Sequence, residues 1–306
     1  MITKDVLDAL YTPIYDKFMI QTFKEHEQKH LKFCDSVDDK TKDWKFDGIS
    51  GLGEWVDATE GSSGGYEDPV LGYPKTLTQA KRWKKLSVSF EAVDQEEYAL
   101  LGKLKDASSM GRGARMNVEK TTHAILNDGF STACPDGQYL WDSDHPKNRE
   151  ETGTTYDNLL SGAFSHDTLE SAETQIAANF FDPKGIPISP SERAIVMFAP
   201  ALRGAVERVL ADRATDQPDT TLRNINRFAG NYEMCESIYL SAALGGSNTA
   251  WFIIFPELKL CTIVWSARPH FTSWIDEEDE FYNFKGRMLY DAGALDWRMG
   301  FGSTGL

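Results

Sequence analysis

The stretch DQEEYALLGKLKDASSMGRGARMNVEKTTHAILNDG, from Asp94 to Gly129, decides how the rest of the 306-residue chain is read. Asp94 with Glu97 three residues on forms an Asp-x-x-Glu capping box, which satisfies backbone N–H groups that a first helical turn leaves orphaned. Tyr98, Leu101, Leu104, Ser108, Arg115, Val118, Thr122, Ile125 and Leu126 then recur at three- and four-residue spacing, the period of one helix face. Gly129 supplies the stop. Unbroken, this helix has about 33 residues and spans roughly 50 Å, close to three times the usual length. Gly111 and Gly113 each weaken its middle by about 1 kcal/mol relative to Ala, so a kink is expected there.

Upstream, Tyr73 to Phe90 reads as strand: Leu86-Ser-Val-Ser-Phe90 alternates with period two, and Trp83 sits among Lys81, Arg82, Lys84 and Lys85. Before it lies a glycine-rich tract, Gly48-Ile-Ser-Gly-Leu-Gly-Glu-Trp55, running on through Glu60-Gly-Ser-Ser-Gly-Gly-Tyr66 to Gly72 and Pro74. Such a run cannot hold a helix. Glycine tip and flanking strands together predict a long β-hairpin arm standing off a body, with a basic segment from Lys75 to Lys85. The first fifty residues are charge-dense, and Val6 to Phe23 is amphipathic with Pro13 as an interruption.

Downstream, Ala133 to Thr155 reads as loop and Ser165 or His166 to Asn179 as helix. Ala194 to Phe198 reads as buried strand, and Pro200 to Leu210 as a helix with proline in its first turn. The last quarter is β-rich, with strands expected at Glu236–Leu244, Ala250–Phe255, Leu258–Ala267 and Phe281–Asp296. Between the last two sits an acidic knot, Asp276-Glu277-Glu278-Asp279-Glu280.

Composition narrows the function. Thirty-two Lys and Arg against 47 Asp and Glu leave a net charge of −15, the wrong sign for a protein that wraps nucleic acid tightly. Apolar runs such as Trp251 to Phe255 are far shorter than the roughly 20 residues that cross a bilayer, and no secretory signal opens the chain. Cys34, Cys134, Cys235 and Cys261 are widely spaced, without a C-x-x-C pair, and read as four reduced thiols.

Enzymatic signals are few. His26-Glu27-Gln28-Lys29-His30 is an H-E-x-x-H string, which on a helix offers two zinc ligands and a general base. Its surroundings are mostly charged, so a solvated helix face is the expected reading and a zinc peptidase the alternative. Asp142-Ser-Asp144-His145-Pro146 suggests a metal site by composition, but Pro146 and the neighbouring small residues favour a turn whose Asp side chains bond local backbone. No nucleophile elbow, Walker A or dinucleotide fingerprint occurs. No enzyme activity, cofactor or metal is expected.

Several segments carry a family resemblance: Gly137-Gln-Tyr-Leu-Trp-Asp-Ser-Asp-His-Pro146, Thr154-Thr-Tyr-Asp-Asn-Leu-Leu160 and Ser165-His-Asp-Thr-Leu-Glu170, with Asp296-Trp-Arg-Met-Gly-Phe-Gly302 at the end. In order, they resemble the phage Mu-type major head subunit, a Hong Kong 97-type capsid protein of tailed phages. The resemblance implies an α+β fold with an N-arm (1–44), an extended E-loop hairpin (45–92) and a peripheral P-domain spine helix (93–132). An axial A domain (133–250) and returning P-domain strands (251–306) complete it.

By the same resemblance the function is self-assembly into pentamers and hexamers that tile an icosahedral shell around double-stranded DNA, without sequence-specific DNA contacts and without a membrane. Its place is the virion, with folding and assembly in the cytoplasm of the bacterial host. A portal is an expected partner, and a decoration protein is a further candidate. The arm begins near residue 45, leaving no room ahead of it for the scaffolding segment some members carry, so a separate scaffold protein is expected. The basic residues Lys81, Arg82, Lys84 and Lys85 are candidates to dock near Asp276, Glu277, Glu278, Asp279 and Glu280 of a neighbouring subunit. A tail or decoration component is the other structural reading.

Overall fold

In the computed structural model the described residues are 28–49, 68–89, 97–190, 192–211 and 226–306, with Gln21, Phe23, Glu54, Trp55, Asp57, Glu60, Tyr66 and Glu91 as single positions; for 97–108 only the backbone is described. In chain order the strands are β1 (Cys34–Asp38), β2 (Asp43–Ile49), β3 (Leu71–Thr78), β4 (Ala80–Ser89), β5 (His145–Pro146), β6 (Thr155–Tyr156), β7 (Leu159–Leu160), β8 (Ile195–Phe198), β9 (Glu233–Glu236), β10 (Trp251–Ile254), β11 (Cys261–Asp276), β12 (Phe281–Ala294) and β13 (Gly300–Ser303). The helices are α1 (Glu97–Asn127), α2 (His166–Asn179) and α3 (Arg203–Leu210).

The long helix is present: α1 has 31 residues and runs continuously through Gly111 and Gly113, about 46 Å at 1.5 Å per residue. Arg115, Val118, Thr122 and Leu126 of the expected face are buried. The Asp94 cap and the amphipathic stretch at Val6–Phe23 fall largely outside the described residues. Gly129 serves a different purpose from the expected stop. A short 3-10 turn, Asp128–Phe130, follows the helix, and a Cβ on Gly129 would lie 2.5 Å from Nε1 of Trp141. Glycine is required there because an indole ring presses against the backbone.

Two sheets hold most of the strands. A four-stranded sheet has the order β1-β11-β12-β4, and a five-stranded sheet the order β7-β13-β10-β8-β9. In the latter, β8 and β10 are buried at every position, so both faces are covered and the strands read as unbroken apolar runs rather than alternations. Residues 251–306 contribute to both sheets: β10 and β13 enter the five-stranded one, β11 and β12 the four-stranded one. Expected strand Glu236–Leu244 is instead the end of β9 followed by two 3-10 turns, Ile238–Leu240 and Ala242–Leu244. Helix α2 starts as read, with the Ser165 hydroxyl accepting from the Thr168 N–H at 3.2 Å and Thr168 Oγ1 accepting from the Ser165 N–H at 2.9 Å.

The arm is built from β2 and β3, antiparallel from Asp43↔Thr78 to Ile49↔Leu71. Near its outer end the strands touch at Gly72, where a Cβ would stand 2.5 Å from the Gly48 carbonyl oxygen. The strand expected from Tyr73 to Phe90 is two strands. Buried Gln79 separates them, its N–H bonding the Lys42 carbonyl at 2.9 Å and its side-chain amide the Asp39 carbonyl at 3.0 Å. Consequently Lys75 belongs to the arm, whereas Lys81 to Lys85 belong to β4, an edge of the four-stranded sheet.

Residues 28–38 are held on their own chain. Strand β1 runs parallel to β11 with Cys34 opposite Cys261, and the two cysteines form a disulfide with Cα atoms 4.5 Å apart. The reading of four reduced thiols thus holds only for Cys134 and Cys235. A parallel pairing between residues 227 apart in sequence is invisible to spacing rules.

Candidate functional site

The basic and acidic candidates lie on the same four-stranded sheet. Strands β4 and β12 pair in unbroken register from Ala80↔Tyr290 to Ser89↔Phe281, and directly opposed residues share a face. One face carries Leu86, Val88, Phe284 and, from β11, Phe271; with Met110 of α1 they form a small core under the helix. Gly286 is needed in this seam, since a Cβ there would lie 2.9 Å from the Phe271 ring. The other face presents Lys81, Trp83 and Lys85 with Lys285 and Arg287. Trp83 is 60% exposed and Trp274 is 41% exposed. Lysines lie against both rings: Lys81 and Lys285 at 5.9 and 5.6 Å from Trp83, and Lys85 at 5.3 Å from Trp274. Contacts of this kind at exposed sites are worth roughly 0.5–1 kcal/mol each.

The four basic candidates therefore do not act alike. Arg82 points to the helix side, where its guanidinium lies 4.0 Å over the Tyr290 ring and donates to the Tyr290 carbonyl at 2.6 Å. It is used within the chain. Lys81, Lys84 and Lys85 stay exposed. The acidic residues Asp276 to Glu280 form the turn joining β11 to β12, with Asp276 Oδ1 accepting from the Asp279 N–H at 3.4 Å and Glu280 at a positive φ of 55°. Because Ser89 faces Phe281, Lys85 and Lys81 stand about 13 and 26 Å along the strand from that turn, at about 3.3 Å per residue.

The string from Gly137 to Pro146 is a structural clasp. Trp141 is fully buried, its indole N–H donates to the Leu126 carbonyl at 2.9 Å, and its ring lies where a Cβ on Gly302 would come within 2.7 Å. His145 is buried between Asp136, 2.6 Å from Nδ1, and Asn158 Oδ1, 3.2 Å from Nε2, and stacks on Trp297 at 4.4 Å. The Asn158 amide donates to the carbonyls of Leu140 and Trp297, tying this loop to the C-terminal strand. As expected of a turn, Asp142 accepts from the backbone of Ser143 and Tyr139. Asp136 carried no signal, and Asn158, though within the quoted string Thr154–Leu160, gave no hint of its partners, which tertiary contacts set.

Of the H-E-x-x-H string, His26 and Glu27 lie outside the described residues. His30 is not on a solvated helix face: it sits in a 3-10 turn, Lys29–Lys32, 3% exposed. Its Nδ1 meets Glu119 Oε1 at 2.7 Å and its backbone N–H meets Oε2 at 3.2 Å. Burial pushes the Glu119 carboxyl up, but the His30 hydrogen bond and the charges of His30, His123 and Arg115 outweigh it and hold the group below the usual carboxylate range. His123, sealed in the interior, is pulled down to about 4 by that burial. Burial also draws Arg115 downward against the pull of Glu119. Among the described residues no group of three or more His, Cys, Asp and Glu side chains is placed to hold a metal ion, and no helix is long and apolar enough to cross a membrane.

Comparison with known proteins agrees with this architecture. Residues 78–168 match the family model of the Mu-like prophage major head subunit gpT; no curated protein matches. Among solved structures, the capsid of Ralstonia phage GP4 superposes with a TM-score of 0.56 at 12% identity over 87% of this chain and 82% of that one. The procapsid of bacteriophage JBD30 gives 0.52 at 17% identity over 99% and 76%. A virus-like particle from Pyrococcus furiosus gives 0.54 at 10% identity over 96% and 99%. The chain has the α+β fold of Hong Kong 97-type capsid subunits, and from Thr78 in β3 to Thr168 in α2 it is similar to the Mu-like major head subunits.

Proposed function

We propose that the chain is the major capsid subunit of a tailed phage, assembling in repeated copies into the shell that encloses double-stranded DNA. The observation that carries this reading is the capsid fold along nearly the whole chain, joined to an arm and a cationic, tryptophan-bearing sheet face that the described residues leave exposed. A subunit that closes around five- and six-fold axes needs such surfaces repeated at every contact. The net charge of −15 suits a wall that holds packed DNA without adhering to it. A portal, a separate scaffold protein and a decoration protein are the further partners of such a shell, and host cytoplasm is where it would assemble.

Within this reading, Lys81, Lys84 and Lys85 of one copy meet the turn from Asp276 to Glu280 of another. The distance between the two groups along one chain's sheet supports a partner from a neighbouring copy. Exposed ion pairs contribute only about 0–1 kcal/mol each, so their part is steering and register, with apolar burial supplying strength.

Negative-stain microscopy of the concentrated, purified chain tests the reading. Closed shells, or rings of five and six, are expected. A monodisperse monomer under every condition, alone and with its neighbouring gene products, would overturn it.

A further inference from the structure

Where α1 passes the turn at Ser237–Leu240, cationic groups outnumber the acids that could pair with them. Arg115 is 3% exposed, its guanidinium lying 5.1 Å over the Phe23 ring and its Nη2 3.5 Å from Glu119 Oε1. That carboxylate also accepts from the two N–H groups of His30, so the ion pair is the one contact it offers Arg115. Nε and Nη2 of Arg115 are left buried without a hydrogen bond. These two groups form one edge of the guanidinium fork, the edge that takes two oxygens of a carboxylate or phosphate side by side.

Ser237, 1% exposed, has an Oγ that is likewise buried and without a partner. Arg115 and Ser237 line the same cavity of about 260 Å³, with Lys29, Arg112, Glu119 and Tyr239. Leaving a buried donor unmade costs about 1–3 kcal/mol, more for a charged group. Three such donors on two residues that line one cavity, beside Lys29 and Arg112 and a single engaged carboxylate, form a site complementary to an anion.

We propose that this cavity binds an oxyanion, a phosphate or a carboxylate, seated across the Nε–Nη2 edge of Arg115 with the Ser237 hydroxyl donating to it. Two sources supply that chemistry: free phosphate, or a carboxylate side chain of a second copy. The inference stands on the cavity alone and does not depend on the chain being a shell subunit.

Calorimetric titration of the full, unassembled chain with inorganic phosphate, against chloride at matched ionic strength, reads the site directly. Saturable binding is expected, at least tenfold weaker in Arg115→Lys, which keeps the charge and loses the fork. Ser237→Ala removes a hydroxyl with no internal partner, so it should keep the melting temperature and weaken binding several-fold. If Arg115→Lys does not fold, Ser237→Ala decides alone. Heat that never saturates, or equal binding by wild type and Ser237→Ala, overturns the proposal. Acetate serves as the carboxylate probe. Given saturable binding, assembly that phosphate slows in wild type but not in Ser237→Ala assigns the site to a neighbour's carboxylate, and assembly indifferent to phosphate assigns it to the free anion.

Discussion

The two sheets of this molecule solve opposite problems. The five-stranded sheet is closed: β8 and β10 are buried at every residue, and Trp141, Trp251 and Trp297 are all fully enclosed around it. The four-stranded sheet is covered on one face by α1 through a cluster of four buried side chains, Val88, Met110, Phe271 and Phe284. Its other face shows two tryptophans and a row of cations to solvent. One region has what it needs within the chain. The other carries apolar surface of the kind that marks an interaction site.

The sharpest way to break this contrast is at Trp141. Trp141→Ala removes one of the three enclosed indole rings from the closed side and one buried hydrogen bond, and should cost about 3–5 kcal/mol in urea unfolding. Because Gly302 is held small by that ring, Gly302→Ala should destabilise wild type and cost much less in the Trp141→Ala background, a coupling read by a double-mutant cycle.

At the seam between the regions the effect is one of pH. His123 titrates at about 4 in the folded chain and near 6.5 unfolded. Between those values the unfolded chain binds the extra proton, so stability rises with pH across the window, by about 3 kcal/mol in all. Glu119, held low, adds in the same direction: its contribution is present above the unfolded carboxylate value and is lost as pH falls through the folded one. His123→Gln should flatten the slope between pH 4 and 6.5 in denaturation followed by circular dichroism.

On the open side the core is thin. Met110→Ala should cost about 2 kcal/mol, the low end for such deletions, again by urea unfolding. Smallest of all is the charge term. Lys84→Glu with Lys85→Glu should leave subunit stability within about 0.5 kcal/mol. It should slow assembly at low salt, followed by light scattering, with the difference fading as salt screens it. Unchanged assembly at all salt concentrations would sink the docking of this strand on the acidic turn.

The sequence spoke most clearly where structure is local. The helical period of Val118, Thr122 and Leu126, the helix start at Ser165 or His166 and the buried run Ile195–Phe198 stand where reading placed them, whereas β11 runs past its expected end at Ala267 to Asp276. It was silent where partners come from far along the chain. Cys34 gave no hint of Cys261, nor His30 of Glu119. Gln79 divided one expected strand into two because its bonds to Lys42 and Asp39 are tertiary. That single break moved the basic residues from the arm to the sheet. Gly129 shows the subtler case, a correct position with a different cause, the indole of Trp141 rather than a helix stop.

Amide hydrogen exchange, compared between unassembled and assembled chain, tests the contrast between the two regions most directly. Strands β2, β3 and β4 should gain protection on assembly while β8, β10 and β13, already enclosed, change little. Equal gains across both sheets, or gains confined to the five-stranded one, would contradict it.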